Sequence, residues 1–297
     1  MTYSISDLEQ LSGIQSHTIR IWEQRYNALK PMRSDGNTRL YDDNQLVRLL
    51  NIVSLNQAGL KISKICKLSD QAVNELIDQH YGSSSESEQN EFYISQLIKY
   101  GIAFNEFSFS TLMDEAILKL GMINSYRLII YPLLVRLGFM WRKDDICPAH
   151  EHFLSNIIRQ KFFAAINSIP LQVDAEKTWL LFLPEDEDHD IGLLFANYML
   201  RINKQKVIFL GSKVPTDSIA KILKNVAIDH ALLFMTKLRL KNAAQNYIDQ
   251  LSEICSSTQI HLAGNSQVID KLENIDHINW FKSLDEFENS IQKSQSL

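Results

Sequence analysis

Glu187-Asp188-His189-Asp190-Ile191-Gly192 puts one histidine among carboxylates, with a glycine three residues on. A neutral imidazole is a metal ligand, and a carboxylate on its other ring nitrogen fixes the tautomer and raises basicity. The stretch leaves an apolar run, Trp179 to Pro184, and precedes a helical pattern. It therefore reads as the loop between a strand end and a helix start, where ligands sit in open α/β sheets. Glycine at 192 would let a large flat cofactor approach the backbone. The expectation is a cofactor site, with Glu187 and His189 among its residues, in which His189 reaches a metal and a nearby carboxylate orients its ring; a merely solvated acidic loop is the competing reading. Upstream, Trp141 is followed by a second carboxylate–histidine pair, Glu151-His152. Taken alone, that trio reads as a helix-capping indole and an exposed helix start.

The elements that must position these residues belong to a chain of 297 residues, 45% hydrophobic, long enough for two or three domains. No run of eighteen apolar residues and no signal peptide is read, so a cytoplasmic protein without a membrane partner is expected. Cys66, Cys147 and Cys255 are odd in number and far apart, which fits neither a disulfide framework nor a metal spacing. The net charge of −5 argues against a uniformly basic nucleic-acid binder but allows a local basic patch.

Such a patch lies near the N-terminus. Ser4 to Gly13 reads as a short helix ended by its glycine, and a second helix follows with Ser16 as its N-cap. On that second helix Ile19, Trp22 and Tyr26 share the core face. The opposite side carries His17, Arg20 and Gln24, flanked by Thr18 and Arg25, and Asn27 is a left-handed stop. This is a helix-turn-helix. Asp35-Gly36 then marks the turn of a β-wing with Arg33 and Arg39 on its arms. Between Thr18 and Tyr41 five basic residues face two acidic ones, although the first eighty residues carry nine of each sign. Positive charge is concentrated where a duplex backbone would lie.

The polar stretch 81–90 reads as a flexible linker. Four amphipathic segments between 91 and 170 predict a four-helix bundle, with Pro132 kinking the third helix. From 176 to 297 strand and helix patterns alternate, with strands at 179–183, 206–210, 230–234, 260–263 and 278–281. Alternation predicts a parallel, doubly wound, Rossmann-like sheet. Gly211 and Gly264 fall at strand C-termini, beside the expected site. The fold class is thus multidomain, α and α/β: a winged helix-turn-helix head over 1–80, a bundle, and a Rossmann-like tail. No GxGxxG or Walker loop is present, which disfavours nicotinamide and nucleotide-hydrolysing enzymes.

Thr18-Ile-Arg20-Ile-Trp22-Glu23-Gln-Arg25-Tyr26, Arg33, and Gly36-Asn-Thr-Arg39-Leu-Tyr41 resemble the MerR family of transcription regulators. The resemblance implies double-stranded DNA as partner, with Thr18, Arg20 and Arg25 on the reading helix and Arg33, Arg39 and Tyr41 on wing phosphate contacts. No sustained heptads follow, so any dimer or tetramer must form through the C-terminal part. The bundle and tail resemble cobalamin-binding modules of the methionine synthase type, through Trp141, Glu151-His152, the ExHxxG stretch, Gly211, Thr236-Lys-Leu238 and Ala263-Gly264. The whole order resembles the light-responsive repressors of CarH/LitR type. That implies adenosylcobalamin as cofactor and His189 as lower axial ligand of cobalt. It also implies Trp141 and Glu151 at the upper face, His152 as a ligand after illumination, and Thr236 beside the nucleotide tail. Ala263 and Lys237 depart from the usual Gly-Gly and less polar pattern.

The leading expectation is a non-enzymatic, DNA-binding repressor whose oligomerisation and operator binding follow adenosylcobalamin and light. The alternative is a cobalamin-independent MerR-type regulator whose tail serves oligomerisation or partner docking. A corrinoid-carrying subunit of a methyltransferase or mutase is a third reading, disfavoured by the DNA head.

Overall fold

In a computed structural model the described residues are 2–34, 36–57, 59–80, 86–141, 148–171 and 177–294, and they fall into two compact units, Met1–Ile157 and Ile158–Leu297.

The first unit opens with β1 (Thr2–Tyr3), α1 (Ile5–Ser12) and α2 (Ser16–Tyr26). Ser4 starts α1 with a capping box, its hydroxyl accepting Asp7 N–H while Asp7 accepts the Ser4 amide. Gly13 ends α1 and Asn27 ends α2, both left-handed, as the sequence predicts. Ser16 is not the cap of α2: Gln15 holds that position, and the Ser16 hydroxyl and amide both turn back to Glu9 of α1. The wing is β2 (Met32–Arg33) against β3 (Arg39–Asp42), in an antiparallel sheet of order β1-β3-β2. Asp35 lies outside the described residues, and the left-handed wing residue is Asn37, φ 60°, rather than Gly36. Side-chain amides of asparagine tolerate that conformation nearly as well. Then come α3 (Asp43–Gln57), α4 (Ile62–Ile65) and α5 (Asp70–His80). Leu8, Leu11, Ile19, Leu46, Leu49 and Tyr41 form the fully buried centre of the head.

The helices that follow are α6 (Glu86–Ile102), α7 (Glu106–Ser125), a π-turn (Tyr126–Ile130), α8 (Tyr131–Trp141) and α9 (Pro148–Asn167). Two expectations change here. Residues 86–90, read as linker, are the first turns of α6, and 81–85 lie outside the described residues. Moreover α6 packs along α3 of the head, where buried Gln96 donates to Asn51 (3.3 Å) and Ser54 (3.2 Å). Within the third helical segment the irregularity is the π-turn that ends two residues before Pro132, and the non-helical residue Gly121 (φ 76°, ψ 162°) lies ahead of that segment. Proline lacks an N–H and collides with the carbonyl four residues back, and the wider π register displaces that carbonyl. By length and composition 106–138 would suffice to cross a membrane, yet α7 packs on α6 within this unit.

In the second unit, β4 (Thr178–Pro184), α10 (Ile191–Ile202), β5 (Lys206–Val214), α11 (Thr216–Asn225), β6 (His230–Met235), α12 (Lys241–Ile254), β7 (Gln259–Gly264), α13 (Ser266–Ile269), β8 (Asn279–Trp280) and α14 (Leu284–Ser294) alternate as predicted. The sheet is parallel throughout, in order β5-β4-β6-β7-β8. All seven residues of β4 are buried, which is why its sequence is continuously apolar rather than alternating. Leu180, Phe182, Ala231, Leu233, Met235, Ile260 and Leu262 pack one face against Ile219, Ala244, Ile248 and Leu251. The strands' C-terminal ends bring together the loops after β4, β5, β6 and β7.

Candidate functional site

The β4 loop is folded around Glu187. Its backbone N–H bonds the Pro184 carbonyl (2.9 Å), and its own carbonyl accepts Lys213 N–H from the end of β5 (3.2 Å). These bonds turn the side chain inward, where it is fully buried. One carboxylate oxygen accepts His189 Nδ1–H at 2.5 Å. The other accepts the backbone amides of Thr236 (2.9 Å) and Lys237 (2.8 Å), which open the loop after β6. Burial pushes this carboxyl's pKa up, but the His189 bond and the two amides outweigh it and hold it at about 2. The result is a buried anion fixing a half-exposed imidazole. With Nδ1–H donated to Glu187, Nε2 carries the lone pair of the neutral ring, the arrangement a metal-binding histidine requires.

Around the pair, Asp188 lies 3.7 Å from His189 Nδ1 and 3.3 Å from Lys213 Nζ, and Asp190 at the start of α10 accepts Arg159 Nε at 2.6 Å. Glu187, Asp188 and His189 present oxygen and nitrogen atoms within 4.8 Å of one another. Gly264, at the end of β7, has φ +131°, and a Cβ there would meet the Met235 carbonyl oxygen at 2.3 Å. Only glycine lets β7 run this close to the end of β6. Gly192 serves packing as well: its added Cβ would strike the Phe234 ring at 2.8 Å. Gly211, φ +80°, ends the straight part of β5 beside Phe209. Of the residues predicted in the tail, Glu187, His189 and Thr236 are joined directly by hydrogen bonds, Thr236 through its backbone rather than its hydroxyl.

Sequence reasoning missed Arg239. Its guanidinium side chain, 7% exposed, grips Asp186 through Nε (2.8 Å) and Nη2 (2.7 Å), with Nη2 also 3.4 Å from Glu187. It is a fixed cation behind the carboxylate. The only hint in the sequence is an arginine between Leu238 and Leu240, with no periodicity to place it.

In the first unit, His152 Nδ1 lies 3.0 Å from a Glu151 carboxylate oxygen at the start of α9. The histidine is largely exposed and the glutamate mostly covered, so this is a second imidazole–carboxylate pair. Trp141 ends α8, and its side chain lies outside the described residues.

In the head, Arg20, Arg25 and Arg33 are exposed and Thr18 is partly so. Tyr41 is a correction: it is fully buried, and its hydroxyl donates to Glu23 at 2.9 Å. Arg39 Nε reaches the other oxygen of the same carboxylate, also at 2.9 Å. Burial first, and then the bond to Glu23, raises the pKa of Tyr41. Tyr41 thus fixes the wing to α2 from inside and offers no face to a duplex in this conformation.

Residues 3–72 match the MerR HTH family regulatory protein, so the head is a MerR-type helix-turn-helix domain. Over most of its length the chain is similar to two transcriptional repressors of Myxococcus xanthus. It is 25% identical to the HTH-type transcriptional repressor CarH, over 85% of this chain and 84% of that one. It is 24% identical to the HTH-type transcriptional repressor CarA, over 89% and 87% respectively. Among solved structures it resembles the monomethylamine corrinoid protein of Methanosarcina barkeri, with a TM-score of 0.53 and 15% identity, covering 69% of this chain and 99% of that one. At that identity the likeness concerns the fold.

Proposed function

We propose that this chain is a cytoplasmic DNA-binding transcriptional repressor of MerR type whose hold on its operator is controlled by a cobalamin. The observation that carries this reading is the Glu187–His189 pair, a buried carboxylate on Nδ1 at the C-terminal edge of a parallel sheet, in a chain headed by a MerR-type domain. The residues present fit a corrinoid. A carboxylate on Nδ1 leaves Nε2 of the neutral ring to a metal, that carboxylate is held ionised by the His189 bond and two amides, and the β7 edge carries no side chain at Gly264.

His189 Nε2 would hold the cobalt, while Glu187 fixes the imidazole ring and the amides of Thr236 and Lys237 fix Glu187. Trp141, Glu151 and His152 are proposed as further cofactor-binding residues on the sequence resemblance alone. Gly192, Gly211 and Gly264 are assigned to the binding surface around the ring and its tail. When bound, an adenosyl form would supply a cobalt–carbon bond that light breaks. The chain's own part is to hold one imidazole in place, keep its second nitrogen deprotonated, and translate the state of the site into assembly and DNA binding. Thr18, Arg20, Arg25 and Arg33 are proposed to meet the duplex, with Arg39 and Tyr41 shaping the wing. A dimer or tetramer places several heads on adjacent half-sites and gains avidity through effective concentration. No step in this reading turns over a substrate.

The test is an absorption spectrum of the full chain, mixed with adenosylcobalamin in darkness, desalted, then illuminated. A retained red protein whose spectrum and size-exclusion volume both change with light is expected, and His189→Ala should lose the pigment. A colourless wild-type protein overturns the cofactor reading and leaves a DNA regulator with a structural tail. Retained pigment with an unchanged elution volume overturns the light-controlled assembly alone.

A further inference from the structure

A helix leaves its last carbonyls without intrahelical partners, and a cation placed there also meets the negative end of the helix dipole. In α1 the cation comes from 125 residues away. Arg136 Nη1, from α8, donates to the Leu11 carbonyl at 3.4 Å. The guanidinium is itself held by Glu91 of α6, Nη1 on one oxygen at 2.5 Å and Nη2 on the other at 2.6 Å. Both side chains are largely covered, each 17% exposed. The same group lies on the helix-turn-helix turn: a Cβ at Gly13 would meet Arg136 Nη2 at 3.2 Å. From there the contacts run on into the reading helix. Glu9 of α1 accepts the Ser16 amide (3.1 Å) and hydroxyl at the start of α2, two residues before Thr18.

We propose that Arg136 is a positioning residue of the DNA-reading head. Through the Leu11 carbonyl and the Gly13 turn it sets the angle at which α1 presents α2. Clamped by Glu91, it makes the α6–α8 pair part of the head's frame. The inference rests on the reading of the head as DNA-binding. It assigns to α6 and α8 a grip on α1 and on the turn that leads into the reading helix, in place of a tether. Arginine suits the post because its planar fork binds one carboxylate with two nitrogens and still offers a donor to a carbonyl. Lysine would keep the charge and lose the fork.

The experiment uses the full chain and two duplexes: one selected by the wild-type protein from a random-sequence library, and a scrambled duplex of equal length. Arg136→Met should bind the selected duplex about tenfold more weakly, the order expected for losing charge-assisted hydrogen bonds. It should keep its affinity for the scrambled duplex and its salt slope, because Arg136 touches no phosphate. Arg136→Lys should recover part of the loss, and Glu91→Gln should share it. Amide exchange in Arg136→Met should speed up over residues 11–16. Melting curves identify a variant that has not folded, in which case the milder Arg136→Lys and Glu91→Gln carry the comparison. Equal losses on both duplexes with a shallower salt slope would make Arg136 a phosphate contact and overturn the proposal. So would an unchanged selected-to-scrambled ratio in folded variants. If the wild-type chain selects no sequence, the DNA reading itself fails. Exchange over 11–16 then decides whether Arg136 holds the turn.

Discussion

Replacing Glu187 by glutamine keeps the size and shape of the side chain and removes its charge. The buried carboxylate serves His189 Nδ1 with one oxygen and the amides of Thr236 and Lys237 with the other. Burial raises its pKa, but the His189 bond and the amides prevail, so it ionises at about 2 instead of the ordinary 4.5. Each tenfold in an ionisation equilibrium is about 1.4 kcal/mol, so the ionised carboxylate contributes roughly 3 kcal/mol to folding at neutral pH. The folded pKa lies below the unfolded one. The contribution is therefore complete above 4.5 and is lost as pH falls towards about 2. Glutamine has one oxygen, which the two amides claim. Its NH2 then faces His189 Nδ1, which must accept, and the ring proton moves to Nε2. The nitrogen meant for a metal becomes an N–H. In Glu187→Gln the tail should melt on the order of 10 °C lower at pH 7. The acid limb of its stability between pH 4.5 and 2 should flatten. Cobalamin uptake should weaken by about 10- to 100-fold, the usual consequence of losing a ligand's orienting partner. Calorimetry across pH and a spectrophotometric titration measure all three. A variant that melts within about 2 °C of wild type and takes up the corrinoid equally well would refute the reasoning.

Gly264→Ala must place a methyl 2.3 Å from the Met235 carbonyl oxygen at φ +131°, so a cost above about 3 kcal/mol and a sharp drop in soluble, folded protein are expected. His261 is buried between Trp179 and Phe281, and burial first, then neighbouring His230, lowers its pKa to about 3. The unfolded chain takes up this proton below about 6.5 and the folded one does not. Stability should therefore fall as pH drops from about 6.5 towards 3, by about 2 kcal/mol at pH 5, and His261→Phe should flatten most of that limb in a pH-resolved denaturation series. Tyr41→Phe removes the hydroxyl held by Glu23 and should destabilise the head by about 1 kcal/mol without changing the salt slope of DNA binding. Arg33→Ala, at an exposed wing position, should flatten that slope by about one, read by anisotropy over a salt series.

The tail was legible because its strands are short apolar runs set off by helical periods, and burial on both faces leaves β4 continuously apolar. The helix-turn-helix was legible because its stops, Gly13 and Asn27, are residues that accept left-handed backbone. What could not be read depends on partners distant in sequence. Residues 86–90 look like linker because they are polar, yet Glu and Gln are good helix formers, and among the side chains described in α6 the first buried one is Tyr93. Tyr41 carries a polar hydroxyl on a wing arm, and only the fold shows Glu23 taking it up. Arg239 and Arg136 have no pattern around them, and each is explained by a carboxylate tens of residues away.

Three glutamates share one design. Glu23, Glu91 and Glu187 each use both carboxylate oxygens to hold groups that must stay in register. Glu23 joins α2 to the wing through Arg39 and Tyr41, and Glu91 holds both nitrogens of the arginine that caps α1. Glu187 joins the β4 loop to the β6 loop while fixing His189. A hydrophobic contact at these places would hold the elements together but leave their angle adjustable, because burial is nondirectional. A two-oxygen acceptor fixes direction as well as distance. The parts held this way are those whose orientation the proposed function depends on: the wing, the turn before the reading helix, and the imidazole offered to cobalt.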